Sequence, residues 1–88
     1  MAKIEVNQIS EDGADYAFAV EVDDYKYKVT FTEEYYKKLT DGKISPEELV
    51  KKSFEFLLEK EGPQSILAEF ELPVIQKYFP EYEAQITV

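Results

Sequence analysis

The sequence predicts an α+β domain: a three-stranded antiparallel β-meander followed by a short helix, one long helix and short C-terminal helices packed on one sheet face. Three observations predict it. Residues 1–32 alternate apolar and polar side chains with period two. Residues 33–80 change to a helical period. No low-complexity tract, Gly/Ser linker or internal repeat divides the 88 residues, so 1–88 read as one domain.

The alternation is clearest from Tyr16 to Phe31. Tyr16, Phe18, Val20 and Val22 share one face, and Ala17, Ala19 and Glu21 share the other. After Asp23-Asp24 the pattern resumes, with Tyr25, Tyr27, Val29 and Phe31 on one side and Lys26, Lys28 and Thr30 opposite. A two-residue turn at Asp23-Asp24 sets Val22 against Tyr25, Val20 against Tyr27, Phe18 against Val29 and Tyr16 against Phe31. A slip of one residue would oppose apolar to polar side chains, so the register is specified. Lys3-Ile4-Glu5-Val6 also alternates. Ser10-Glu11-Asp12-Gly13-Ala14 reads as a turn, with Gly13 free to take positive φ. Strands are expected near 3–9, 15–22 and 25–32.

Thr32 then reads as the N-cap of a short helix running from Glu33 to about Thr40. Two glutamates open it and two lysines sit near its end, which suits the helix dipole; Asp41-Gly42 ends it. Ser45-Pro46-Glu47-Glu48 is the clearest local signal. Ser45 is the N-cap, Pro46 takes the first helical position, and Glu48 completes a capping box. The long helix runs to about Glu61 and stops at Gly62-Pro63. Leu49, Val50, Phe54, Leu57 and Leu58 form its buried stripe, with Phe56 off that stripe.

Beyond Pro63, residues 65–70 are expected to make one or two helical turns. Residues 72–79 should make another, entered by Pro73 and closed by Pro80. Ile66, Leu67, Phe70, Val74, Ile75, Tyr78 and Phe79 are too many apolar residues to leave in water; they close the core or bind something. Residues 84–88 have β character and are read as an edge strand or a fraying end.

Composition bounds the chemistry. Seven Tyr and six Phe supply core bulk where no cysteine is present to staple the fold. Such a chain buries about 60–65% of its unfolded surface and should be stable by about 5–10 kcal/mol. His, Cys, Trp and Arg are all absent. The usual neutral-pH base, the thiol nucleophile, zinc and iron–sulfur ligation and the arginine phosphate clamp are therefore excluded. Nineteen acidic residues against ten lysines give a formal net charge of −9. That disfavours nucleic acid and membrane surfaces, which both require a positive face. It suits a solvated surface or a basic protein partner. No run approaches the length of a spanning helix. MAKIEVNQ lacks the charged region followed by an apolar region that marks a signal peptide. With no Cys, these features predict a cytoplasmic protein.

The remaining constellations carry little chemistry. Asp23/Asp24, Glu33/Glu34, Glu47/Glu48 and Glu81/Glu83 are paired carboxylates, but turn formation and capping explain the first three pairs. Glu11-Asp12-Gly13-Ala14-Asp15 faintly resembles a calcium loop without its ligand spacing, and reads as a turn. Ser45, Ser53 and Ser65 have no histidine, and Lys52 and Ser53 diverge as helical neighbours. The Tyr and Phe of the strands could stack bases, but read as core under helices. No catalytic residue, cofactor or metal ligand is expected.

From Val29 to Glu61, the order Val-Thr-Phe-Thr-Glu-Glu-Tyr-Tyr-Lys-Lys-Leu and then Ser-Pro-Glu-Glu-Leu-Val-Lys-Lys-Ser-Phe-Glu-Phe-Leu-Leu resembles the strand–helix–helix of ribbon-helix-helix repressors. That resemblance implies a strand-mediated dimer reading DNA through Lys26, Lys28 and Thr30, as a repressor or antitoxin. Here that strand is already expected to pair with residues 15–22, and the charge is negative. A second resemblance spans nearly the whole chain. Ser45-Pro46-Glu47-Glu48-Leu49, Ser53-Phe54-Glu55-Phe56-Leu57-Leu58-Glu59, Ile66-Leu67 and Phe79-Pro80-Glu81-Tyr82-Glu83 are similar to a group of small uncharacterised prokaryotic proteins, which implies no site residues.

The leading expectation is a non-enzymatic, acidic protein-interaction or regulatory module. Its recognition surface is placed in the C-terminal segment. Phe56 and Tyr82 are expected as exposed partner-binding anchors, ringed by acidic side chains. The alternative for Phe56 is that the C-terminal segment covers it.

Overall fold

A computed structural model describes residues 3–9, 13 and 15–87. Strands β1 (Ile4–Ile9), β2 (Tyr16–Val22) and β3 (Tyr25–Phe31) form the antiparallel meander. Val20 lies opposite Tyr27 and Tyr16 opposite Phe31, the register the apolar faces demand. Asp23, first of the two turn residues, takes φ 53°, so an aspartate adopts the left-handed conformation that a tight hairpin needs. Gly13 has φ 85°; its neighbours in the expected 10–14 turn lie outside the described residues, as does Val88.

The sheet has a fourth strand, β4 (Glu69–Glu71), which makes it mixed: β4 runs parallel to β3, giving the order β1-β2-β3-β4. The helical turns expected over 65–70 are corrected to a 3-10 turn, Pro63–Ser65, followed by this strand. Two bonds extend the pairing: Lys28 N donates to Ala68 O (2.8 Å) and Leu72 N donates to Thr30 O (3.0 Å). A parallel neighbour requires a long crossover. Helices α1 (Glu33–Thr40) and α2 (Pro46–Lys60) supply it. Both N-caps form as the sequence predicts, with Thr32 Oγ1 accepting from Tyr35 N and Ser45 Oγ accepting from Glu48 N, each at 3.1 Å. Asp41 closes α1 in the left-handed region, its N–H bonded to Lys37 O.

α3 (Pro73–Tyr78) follows β4, and α4 (Tyr82–Ile86) ends the described chain. The edge strand expected as one alternative for 84–88 is corrected over the described residues 84–87: Gln85 N and Thr87 N donate to Glu81 O and Glu83 O, which winds the segment into helix. Phe18, Val20, Val22, Tyr27, Val29, Phe31 and Phe70 on one sheet face join Leu49, Val50, Phe54, Phe56, Leu57, Leu72, Ile75 and Tyr82 in a single core cluster. Glu5, Asn7, Glu21 and Lys26 stand exposed on the other face.

Phe56 and Tyr82 are not exposed anchors. Phe56 is 5% and Tyr82 0% exposed, because α4 closes over the side of α2 that the sheet leaves open. The rings meet each other at 5.4 Å between centroids, and Phe79 meets Phe56 edge-on at 5.9 Å. α2 is thus buried on two sides, wider than the stripe its period marks.

Candidate functional site

The C-terminal half builds a groove by a sequence of breaks. Gly62-Pro63 ends α2 and starts the 3-10 turn. The Tyr27 hydroxyl reaches up from the sheet and donates to Pro63 O, fixing that turn over the core. The chain then passes edgewise along β3. Ile66 and Phe70 turn inward and are buried, while Leu67 between them stays 50% exposed. Only Leu72 separates the end of β4 from Pro73, which starts α3, and the helix places Val74 and Tyr78 facing back toward the end of α2.

These segments surround a pocket of about 320 Å³ lined by Leu57, Glu61, Ser65, Ile66, Leu67, Phe70, Val74, Tyr78 and Phe79. That is the low end of the range for small-ligand sites, and its walls have their apolar character. Leu57, Ile66 and Phe70 are buried and form the floor; Leu67 and Tyr78, the latter 67% exposed, stand at the mouth. Polar groups come from Glu61, Ser65 and the Tyr78 phenol. Glu61 is the one charged lining side chain among the described residues. The site thus offers apolar depth and one carboxylate on a chain of net charge −9.

The sequence places the aromatic excess in this segment, and Tyr78 belongs to it; the two residues it favours as anchors are core. Leu67 carries no local signal that it faces out. Its neighbours Ile66 and Phe70 are equally apolar, and Ile66 and Leu67 precede β4, where no regular period marks which side chain turns out.

The other candidate constellations are explained by structure. Asp23/Asp24, Glu33/Glu34 and Glu47/Glu48 are exposed at the hairpin tip and in the first turns of α1 and α2. Glu81 pairs with Lys60 (3.7 Å), and Glu83 pairs with Lys38 (3.3 Å) while accepting from the Tyr35 hydroxyl (3.0 Å). Asp15 Oδ2 accepts from Glu33 N at 2.9 Å, tying the start of α1 to β2; Glu11, Asp12 and Ala14 lie outside the described residues. No cluster of three potential metal ligands occurs among the described residues. Ser53 Oγ donates to Leu49 O (2.8 Å) and contacts the Tyr82 hydroxyl (2.7 Å) in the core. Burial raises the Tyr82 phenol's pKa; on ionisation the Ser53 hydroxyl would have to turn and donate to the phenolate, which lowers it in part, and Glu83 raises it further. Lys26, Lys28 and Thr30 lie on the uncovered face of a strand that is paired on both edges, to β2 and β4.

No helix among the described residues is long and apolar enough to cross a membrane. No protein-family model, curated protein or solved structure matches the chain.

Proposed function

We propose that this chain is a non-enzymatic interaction module whose C-terminal groove takes an apolar side chain from a basic segment of a partner protein. The observation that carries the reading is the pairing of exposed Leu67 and Tyr78 at the mouth of a 320 Å³ apolar pocket whose only charged lining residue, among those described, is Glu61. An apolar anchor supplies affinity in such a pocket, while lysine or arginine beside it meets Glu61 and the excess of carboxylates. The repressor reading draws no support from this geometry, since β3 has no free edge to give a dimer ribbon.

The test is a titration of isotope-labelled protein with a short peptide carrying leucine or phenylalanine between lysines. Amide shifts should concentrate at Leu67, Val74 and Tyr78 and weaken with salt. Leu67→Ser with Tyr78→Ser should weaken binding at least about tenfold, with melting nearly unchanged because both side chains are exposed. Equal binding of a glutamate-flanked peptide, or shifts remote from the groove, would overturn the assignment.

A further inference from the structure

β1 is an edge strand: the order β1-β2-β3-β4 leaves its outer side without a neighbour among the described residues. One bond shows which backbone groups face outward. Asp23 N donates to Lys3 O at 3.3 Å, and Lys3 continues the register in which Ile4 pairs with Val22 and Ile9 with Ala17. In an antiparallel ladder, residues bonded to the neighbouring strand alternate with residues bonded away from it. Lys3, Glu5, Asn7 and Ile9 therefore bond to β2. Ile4, Val6 and Gln8 turn their N–H and C=O groups outward.

Natural edge strands are protected by shortness, proline, lysine or a bulge. The other edge of this sheet has such protection: β4 is three residues long, and glutamates flank Phe70. β1 has little of this: its one charge, Glu5, is partnered by Lys3 just before the strand. It is six residues long, carries no proline or lysine, and pairs without interruption. Its charge is also unlike that of the rest of the chain. Glu5 is paired with Lys3 at 3.2 Å, so the strand and its lead-in residue are neutral on a chain of net charge −9.

We propose that β1 is a homodimerisation strand: two copies pair their β1 edges antiparallel about a two-fold axis normal to the sheet, with Val6 opposite Val6 of the second copy. Such an axis keeps the helix-covered faces on one side, so facing residues must point the same way. The Val6-centred register meets that condition. It sets Ile4 against Gln8 of the second copy, and every outward N–H and C=O of β1 finds a partner. On the uncovered face Glu5 meets Asn7. Lys3 meets Ile9, whose 39% exposed side chain gains the lysine stem as cover. Centring on Glu5 would oppose two carboxylates. Centring on Asn7 would leave Ile4 facing beyond the end of the strand. The fit of the strand to itself, with a neutral seam, selects a second copy as occupant.

The test combines sedimentation equilibrium with amide hydrogen exchange on the full chain, from micromolar to millimolar concentration. The mass should rise from 10.3 kDa toward twice that value. Amides of Ile4, Val6 and Gln8 should gain protection with concentration, while those of Glu5, Asn7 and Ile9 are protected throughout. Gln8→Pro deletes an outward N–H at an exposed position and should weaken association at least about tenfold while keeping the monomer fold. Asn7→Pro, which deletes a bond to β2, should destabilise the monomer. A chain that stays monomeric at millimolar concentration overturns the proposal and leaves the edge to a strand of another protein. So does a dimer in which the even-numbered amides stay exchangeable, or one that persists in folded Gln8→Pro. The exchange pattern is read on the unmodified chain, so it decides even if the proline variant does not fold.

Discussion

Tyr82 and Ser53 form a buried hydroxyl pair whose direction a third atom sets. Ser53 commits its hydrogen to Leu49 O, so the phenol of Tyr82 is the donor to Ser53 Oγ. This orders three substitutions. Tyr82→Phe removes a donor but leaves Ser53 bonded, and should cost about 1 kcal/mol. Ser53→Ala strands the buried phenol and should cost about 1–3 kcal/mol. Tyr82→Ala empties a fully buried ring site beside Phe56 and should cost about 3–5 kcal/mol. Urea unfolding of the three variants measures the order, and a Tyr82→Ala loss below 1 kcal/mol would return the residue to the surface. The same burial sets an alkaline limit. The Tyr82 phenol is raised above its ordinary 10.0, and Tyr35 is raised too, by burial first and then by Tyr82 and Glu83. A raised phenol holds its proton in the folded chain after the unfolded chain has lost it. Its stabilisation is complete below pH 10 and falls as pH rises beyond. Melting curves should drop less steeply above pH 10 in Tyr82→Phe than in the unmodified protein.

Elements differ in how locally they are specified. Ser45 Oγ bonded to Glu48 N is a cap written in adjacent residues, and Ser45→Ala should cost about 1 kcal/mol in thermal or urea unfolding. α4 is the opposite case. At five residues it is too short to persist alone, and its start is held from another element. Gln76 in α3 donates to Pro80 O (2.6 Å) and accepts from Glu83 N (2.9 Å). Gln76→Ala should release it: Gln85 and Thr87 amides lose exchange protection while β2 and α1 keep theirs. Unchanged protection there would show that core packing of Tyr82 and Ile86 holds α4 unaided. This contrast explains what the sequence discloses. The meander, α1 and α2 are legible because period, turn and cap all lie within a few residues of each other. β4 exists because β3 has a second edge to pair, and Glu69–Glu71 is too short to display a period. α4 is helical through Gln76 and the core, against the β propensity of Ile86 and of its C-cap Thr87. Phe56 reads as exposed from the sequence for the same reason: the helix that covers it leaves no local signature. The groove follows suit, since it needs the positions of β4 and α3 before Leu67 and Tyr78 can be recognised as its mouth.

Across the molecule, attraction and repulsion between charges compete, and their sizes decide the response to salt. The ion pairs Lys3–Glu5, Lys38–Glu83 and Lys60–Glu81 all lie at the surface, where such a pair contributes ~0.2–1 kcal/mol. Against them stands a net charge of −9 confined to a body measuring 30 × 29 × 21 Å. Two like charges about 18 Å apart in water repel by only about 0.2 kcal/mol, but every excess charge meets every other. At about 10 mM salt the screening length is about 30 Å and spans the whole protein; at 150 mM it is about 8 Å and reaches only near neighbours. Summed over the molecule, the repulsion relieved by salt amounts to a few kcal/mol, since unfolding spreads the same charges further apart. The ion pairs lose less, because their members are in contact. Raising sodium chloride from 10 to 150 mM should therefore raise the melting temperature by several degrees. Glu55→Lys, on an exposed turn of α2, should raise it at low salt and do little at high salt. A melting temperature that falls with added salt would mean that ion pairs outweigh self-repulsion, and would reverse this account of the acidic surface.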